Sequence, residues 1–197
     1  MASQSAPLTE HAGRSVPHPA LRRVPYLLLM VAFALGLAQV CRASITFDEG
    51  PHLAVGYTTL RTGDFRLQPL HIHPPLANVL AAFPLLVQDD LSDPRQIEGW
   101  DIASLSAVTD ALVWQYPHPR RIAFAGRVPI LLLNTLLGTI VFRWARDLAG
   151  WGAGLLALTF HALDPNIIAH SALITTDATA VLLIVKIGRA SCRERVC

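Results

Sequence analysis

Residues 122–144 read IAFAGRVPILLLNTLLGTIVFRW, 23 positions whose charges are confined to Arg127 near one end and Arg143 near the other. As a helix this run extends about 35 Å, enough to cross the roughly 30 Å hydrocarbon core of a bilayer. Working outward, residues 24–41 (VPYLLLMVAFALGLAQVC) contain no charge at all. Past Asp147 and Gly150, which predict a turn, residues 149–163 form a third apolar run, and 167–186 form a fourth that Asp177 interrupts. The whole chain has 197 residues, 52% hydrophobic and 15% charged, with a mean hydropathy of +0.42. Soluble domains carry about a quarter charged residues, so the balance argues against an ordinary cytosolic globule, and the apolar content excludes disorder. The expected fold is all-α and integral to a membrane: the N-terminal part of a polytopic helical bundle with spans near 24–41, 122–144, 149–163 and 167–186. A cleaved signal peptide, with Arg22 and Arg23 as its basic region, is the rival reading of the first run; the long leader and the later runs disfavour it.

Orientation follows from the positive-inside rule, which counts Lys and Arg in short flanking segments. Residues 1–23 carry Arg14, Arg22 and Arg23 together with three prolines, and read as a disordered cytoplasmic tail. Arg143 and Arg146, between the second and third runs, belong on the same side. The connection 42–121 then lies outside the cytoplasm, and its six Arg against nine Asp and Glu suit that side. By alternation the link around 164–176 also faces outward, so Asp48, Asp164 and Asp177 are expected to gather at one membrane face. The last residues, 187–197 (IGRASCRERVC), resemble the conceptual translation of a sequencing adapter. The native chain is therefore expected to continue beyond Lys186, and the 197-residue product to be inactive alone. Without that stretch the chain has 13 basic and 13 acidic residues and one cysteine, Cys41, which makes no disulfide by itself.

The outer loop predicts helices of its own. Asp48 is suited to cap a helix whose first turn holds Glu49 and Pro51, and Gly63 to close it in a left-handed cap. Leu53, Tyr57 and Leu60 give that helix one apolar face, which predicts that it lies along the membrane surface. A second helix is expected from Pro74-Pro75 through Leu76 to Val87, too short to span and therefore interfacial or re-entrant. His71 and His73, two apart on an extended segment, point the same way; such a pair holds a metal, a phosphate or nothing. The acidic stretch from Asp89 to Asp101 reads as solvated surface, with Trp100 and Trp114 near the interface. No glycine-rich nucleotide loop, CxxC pair, HExxH or nucleophile elbow is present.

The string Thr46-Phe47-Asp48-Glu49-Gly50-Pro51-His52-Leu53, followed by Gly63-Asp64-Phe65-Arg66, His73-Pro74-Pro75-Leu76, Leu163-Asp164-Pro165-Asn166 and Thr175-Thr176-Asp177, resembles membrane glycosyltransferases of the GT-C type. Within them it is most similar to relatives of protein O-mannosyltransferases and lipid A aminoarabinose transferases. The resemblance covers about residues 23–186. It implies sugar transfer from a polyprenyl-phosphate donor, inverted at its anomeric carbon, to a protein or glycolipid acceptor at the extracytoplasmic face. It also implies a multi-pass protein of the bacterial inner membrane. The expected partners are the lipid-linked donor, the bilayer and the acceptor; nucleic acid is not among them.

Such a transfer needs a base for the acceptor hydroxyl and positive charge, or a metal, at the departing phosphate. Asp48 is the candidate base by its position in the loop and by the family's use of the first acid of the pair; a plain helix cap is the alternative. Glu49 is grouped with it as catalytic, with pairing to an arginine or to the helix dipole as the simpler role. Arg66, His71, His73, Arg127 and Asp177 are the candidate substrate-binding residues. Asp177 draws attention because an acid inside a span is costly unless it is paired or wet. Aminoarabinose transferases carry Glu-Lys before the Pro-Pro, where this chain has Ile72-His73, so a lysine–phosphate contact is not carried over. Metal ligands stay unassigned and the cofactor is unknown, a divalent metal being the open option. The alternatives to an enzyme are a non-catalytic membrane scaffold and a transporter fragment, whose acids belong near mid-membrane in broken helices.

Overall fold

A computed structural model describes residues 18–70 and 73–194, and every regular element among them is helical. In chain order these are α1 (Val24–Arg42), α2 (Glu49–Thr62), α3 (Pro75–Ala82), α4 (Leu105–Thr109), α5 (Pro119–Leu163), α6 (Pro165–Ser171) and α7 (Asp177–Glu194). A 3-10 turn at Phe83–Val87 continues α3, and a π turn at Asp110–Trp114 continues α4. Proline stands in the first turn of α1, α3, α5 and α6, where backbone amides have no intrahelical partner to lose. Of the tail expected to be disordered, residues 1–17 lie outside the described residues. Leu21–Arg23 instead form a 3-10 turn that leads into α1.

α5 is a hairpin. Ala149 (φ −132°, ψ 16°) and Gly150 (φ 87°, ψ −177°) leave helical geometry, and the left-handed φ is one that glycine adopts without strain. The arm 151–163 folds back along the arm 119–148: a side chain on Gly154 would meet Phe142 and Arg146, and one on Gly138 would meet His161. The turn read at Asp147 and Gly150 is therefore in place. α1 lies antiparallel to the arm 119–148, with Leu29 at Gly138, Leu131 at Gly36, and the Val40 carbonyl accepting from Arg127. Leu21–Arg42 and Pro119–Leu163 are long and apolar enough to cross a membrane by length and composition. Their outward faces leave Tyr26, Met30, Leu132 and Phe160 more than half exposed.

Three expectations are corrected. The fourth run is not one helix: it divides at Ala172–Thr176 into α6 and α7, so Asp177 is exposed in the first turn of α7 rather than inside a span. Asp164 does not join Asp48. His161 bonds to the Asn134 carbonyl (3.2 Å), part-way along the bundle, and Asp164 three residues on caps α6 there by accepting from the Asn166 and Ile167 amides. Nor does α2 lie along a surface, because residues 53–59 are all buried.

The larger core belongs to the connection 42–121, where Leu53, Tyr57, Leu85, Trp100 and Val108 pack with Ile122 of α5. Trp100 is thus a core residue and not an interfacial one. Gly63 closes α2 as expected, in the left-handed conformation (φ 72°), donating to the Thr59 carbonyl. Gly56 lets α2 touch the α3 backbone, since a Cβ there would stand 2.0 Å from the Asn78 carbonyl oxygen and 2.8 Å from the Ala82 Cβ. Gly56→Ala is accordingly expected to cost about 1–3 kcal/mol by forcing the two helices apart. A thermal unfolding midpoint equal to wild type would show that this contact is not close.

Candidate functional site

The end of the bundle where α1 finishes and α5 begins is tied together by one buried ion pair. Arg127 and Glu49, 1% and 0% exposed, form two parallel hydrogen bonds: Nε to Oε1 at 2.8 Å and Nη2 to Oε2 at 2.6 Å. The remaining guanidinium protons go to the carbonyls of Val40 (3.4 Å), Ala43 (2.8 Å) and Ser44 (2.7 Å). All five donors of the guanidinium are thereby used. Glu49 in turn accepts from the Thr46 amide and hydroxyl and from the Ile174 amide at 3.0 Å. Burial pushes its carboxyl up, but the Arg127 hydrogen bonds and the Thr46 and Ile174 amides outweigh that and hold it below its ordinary 4.5.

This geometry reassigns two residues. Arg127, expected at the donor phosphate, has no N–H left to give one. Glu49, grouped with Asp48 as catalytic, is ionised and saturated by five donors, so it pairs with arginine, the simpler of the roles considered for it. Together they join the end of α1, the start of α2, the first arm of α5 and the segment before α7.

Ile174 docked on Glu49 brings Asp177 round to the start of α2. There His52, half-buried one helical turn after Asp48, has its Nδ1 2.8 Å from Asn78 Oδ1. Asn78 donates through Nδ2 to Gln68 Oε1 (3.2 Å), which leaves Oδ1 as the acceptor and assigns the His52 proton to Nδ1. Gln68 donates onward to the His73 carbonyl (3.3 Å), and the His73 ring meets His52 edge to face at 5.4 Å. Among the described residues His52 Nε2 has no hydrogen-bond partner and is left as an acceptor. Asp48 and Asp177 both lie close enough to favour a charged His52. Burial acts the other way and is the largest influence; with His73 it outweighs the Asn78 bond and the two acids, and His52 stays below its ordinary 6.5.

Asp48 itself is exposed and occupies the cap position of α2 without a side-chain capping bond, so its carboxylate is not committed to the helix. Two buried hydroxyls on either side of Asp177, those of Thr175 and Thr179, have no hydrogen-bond partner among the described residues. Arg66 is engaged elsewhere. Its guanidinium pairs with Asp64 (2.7 Å) and lies over the Trp100 ring, 4.8 Å from its centroid. His71 lies outside the described residues. His73 is therefore brought against His52, with Asp48 and Asp177 near enough to bear on the His52 charge, whereas Arg66 and Arg127 are engaged with Asp64 and Glu49. Among the described residues no group of three His, Cys, Asp or Glu side chains is arranged to hold a metal.

His52, Asn78 and Gln68 carry the site and were not singled out in the sequence. The one signal was spacing, since Asp48 and His52 are four apart on one helix and so share a face. The lowered His52 value fixes a sign. An unfolded chain takes up its imidazole proton near pH 6.5 and the folded chain only at lower pH, so stability is lost as pH falls from 6.5. Wild type is expected to lose more stability than His52→Asn between pH 7.5 and 5.5; equal losses in the two proteins would show that His52 titrates alike folded and unfolded. Comparison with protein-family models, curated proteins and solved structures finds no match to this chain.

Proposed function

We propose that this chain is part of a multi-pass membrane glycosyltransferase that moves a sugar from a polyprenyl-phosphate donor to an acceptor at the extracytoplasmic face. The single observation that carries the reading is that Glu49 is locked to Arg127 while the adjacent Asp48, one helical turn before His52, is exposed and makes no capping bond. One acid of the pair builds the site and the other is left open for chemistry. In this reading Asp48 takes the proton of the acceptor hydroxyl as its oxygen attacks the anomeric carbon. The bond to the phosphate breaks on the opposite side, and the phosphate leaves with the electron pair. His52, held by Asn78 with Nε2 free, is placed to receive or relay that proton, and Asp177 orients the bound sugar. Arg127 no longer supplies the positive charge for the departing phosphate.

The exposed apolar flanks of α1 and α5 support residence in a bilayer, since large contiguous apolar surfaces are uncommon on soluble monomers. Asp164, capping α6 at a break part-way along the bundle, is the feature that favours the transporter alternative. The two are separated by incubating the full-length protein in proteoliposomes with radiolabelled polyprenyl-phosphate sugars and an acceptor extract. Label moving to the acceptor is the expected result; solute crossing the vesicle wall without such transfer would favour transport.

A further inference from the structure

An open cleft of about 670 Å³ lies between residues 44–45, just past α1, and the start of α5, and the sugar-site residues do not line it. Its polar wall is Ser44, His118, Arg120 and Arg121; Ile45 and two prolines form the rest. Arg121 is bound by one nitrogen to Asp90, 3.1 Å away, which also accepts from the Tyr116 hydroxyl. Arg120 is exposed and makes no ion pair or hydrogen bond among the described residues. One turn further along the same face of α5 stands Phe124, 43% exposed.

We propose that this cleft binds the phosphate group of a membrane lipid, with Arg120 and His118 on the phosphate and the chain running down α5 over Phe124. Three features select a lipid over a free anion. The cleft combines two arginines with an apolar wall, whereas a site for free phosphate needs only the former. It opens where both helices long enough to cross a membrane meet the loop domain, which is where lipid phosphates lie when those helices span a bilayer. Its volume falls within the range of sites for drug-sized ligands, and is large for one phosphate. Ser44 connects it to the buried pair, because its carbonyl accepts from Arg127. The polyprenyl-phosphate donor and a bulk anionic phospholipid share this chemistry. Assigning the donor here rests on the glycosyltransferase reading; the lipid-phosphate site does not.

The test is binding of radiolabelled polyprenyl monophosphate to the full-length protein in phosphatidylcholine nanodiscs. Arg120→Glu is expected to weaken binding by about 10- to 100-fold, the scale of one charged hydrogen bond lost, while Arg120→Lys stays within a few-fold. An unchanged thermal midpoint in both variants shows that they fold, as the exposed position implies. Farnesol, which lacks the phosphate, is expected not to compete. Competition by phosphatidylglycerol at equal concentration identifies the source as bulk headgroups and supports the site; its failure to compete identifies the polyprenyl lipid. Equal competition by inorganic phosphate overturns the lipid assignment, and binding unaltered by Arg120→Glu overturns the site. If binding behaves as expected but no sugar is transferred, the glycosyltransferase reading fails and the cleft stands. Normal transfer with unaltered binding in Arg120→Glu leaves the enzyme standing and removes the cleft.

Discussion

Arg127→Met is expected to destabilise the fold by about 3–5 kcal/mol, the cost of leaving a buried charge without its partner. Total stability of a domain is about 5–15 kcal/mol, so a loss of this size is close to unfolding. The side chain holds Glu49 at 2.6 Å and 2.8 Å and satisfies three backbone carbonyls besides. Removing it strands an anion that is 0% exposed. Lysine at 127 is expected to rescue little, because a point charge with three donors does not reproduce a planar fork with five. Glu49→Leu combined with Arg127→Met is expected to recover much of the loss, since replacing both members of a buried pair by apolar groups is often nearly neutral. Unfolding measured for the two single variants and the double variant yields the coupling energy. Additive losses would mean that the pair does not act as a unit. The pH dependence has a definite sign as well. Glu49 titrates below its unfolded value of 4.5. Its contribution is therefore full above pH 4.5 and lost as pH falls through the lowered folded value, and Glu49→Gln is expected to flatten that acid limb.

The second large effect is the opposite kind. Asp48→Asn is expected to reduce sugar transfer by at least about 100-fold, the low end for removing a general base, while leaving the unfolding midpoint unchanged. The second half follows from the structure, because the Asp48 side chain is exposed and makes no capping bond, so stability has little to lose. The acidic neighbours are thus expected to separate by consequence: altering Glu49 affects folding, and altering Asp48 affects the proposed transfer. A helix cap for Asp48 would instead predict a loss of about 0.5–2 kcal/mol and no specific loss of transfer.

Local signals in the sequence were readable. Gly63 as a helix stop, the prolines opening α3, the turn at Gly150 and the two long apolar helices all follow from backbone rules that need only neighbouring residues. The burial of α2 was not readable. Leu53, Tyr57 and Leu60 show one apolar face, but Ala54, Gly56, Thr58 and Thr59 on the other sides are small enough to be buried without an apolar signature. Contacts between distant segments were equally hidden. Glu49 reaches 78 residues ahead to Arg127 and 125 ahead to Ile174, and nothing local marks either partner. Arg127 by itself resembled a phosphate ligand, because an arginine near a span end has the same sequence appearance whether its fork is free or filled. The His52 site was missed for a related reason: Asn78 and Gln68 are ordinary polar residues until folding stacks them between two histidines.

In the proposed enzyme Asp48, and not the acid beside it, is the residue free to do chemistry at this end of the bundle. The most direct measurement compares Asp48→Asn and Glu49→Gln in the full-length protein, recording sugar transfer and the unfolding midpoint on the same preparations. Asp48→Asn is expected to keep the wild-type midpoint and lose transfer by at least about 100-fold, while Glu49→Gln lowers the midpoint. Transfer within threefold of wild type in a normally folded Asp48→Asn protein would show that Asp48 is not the base.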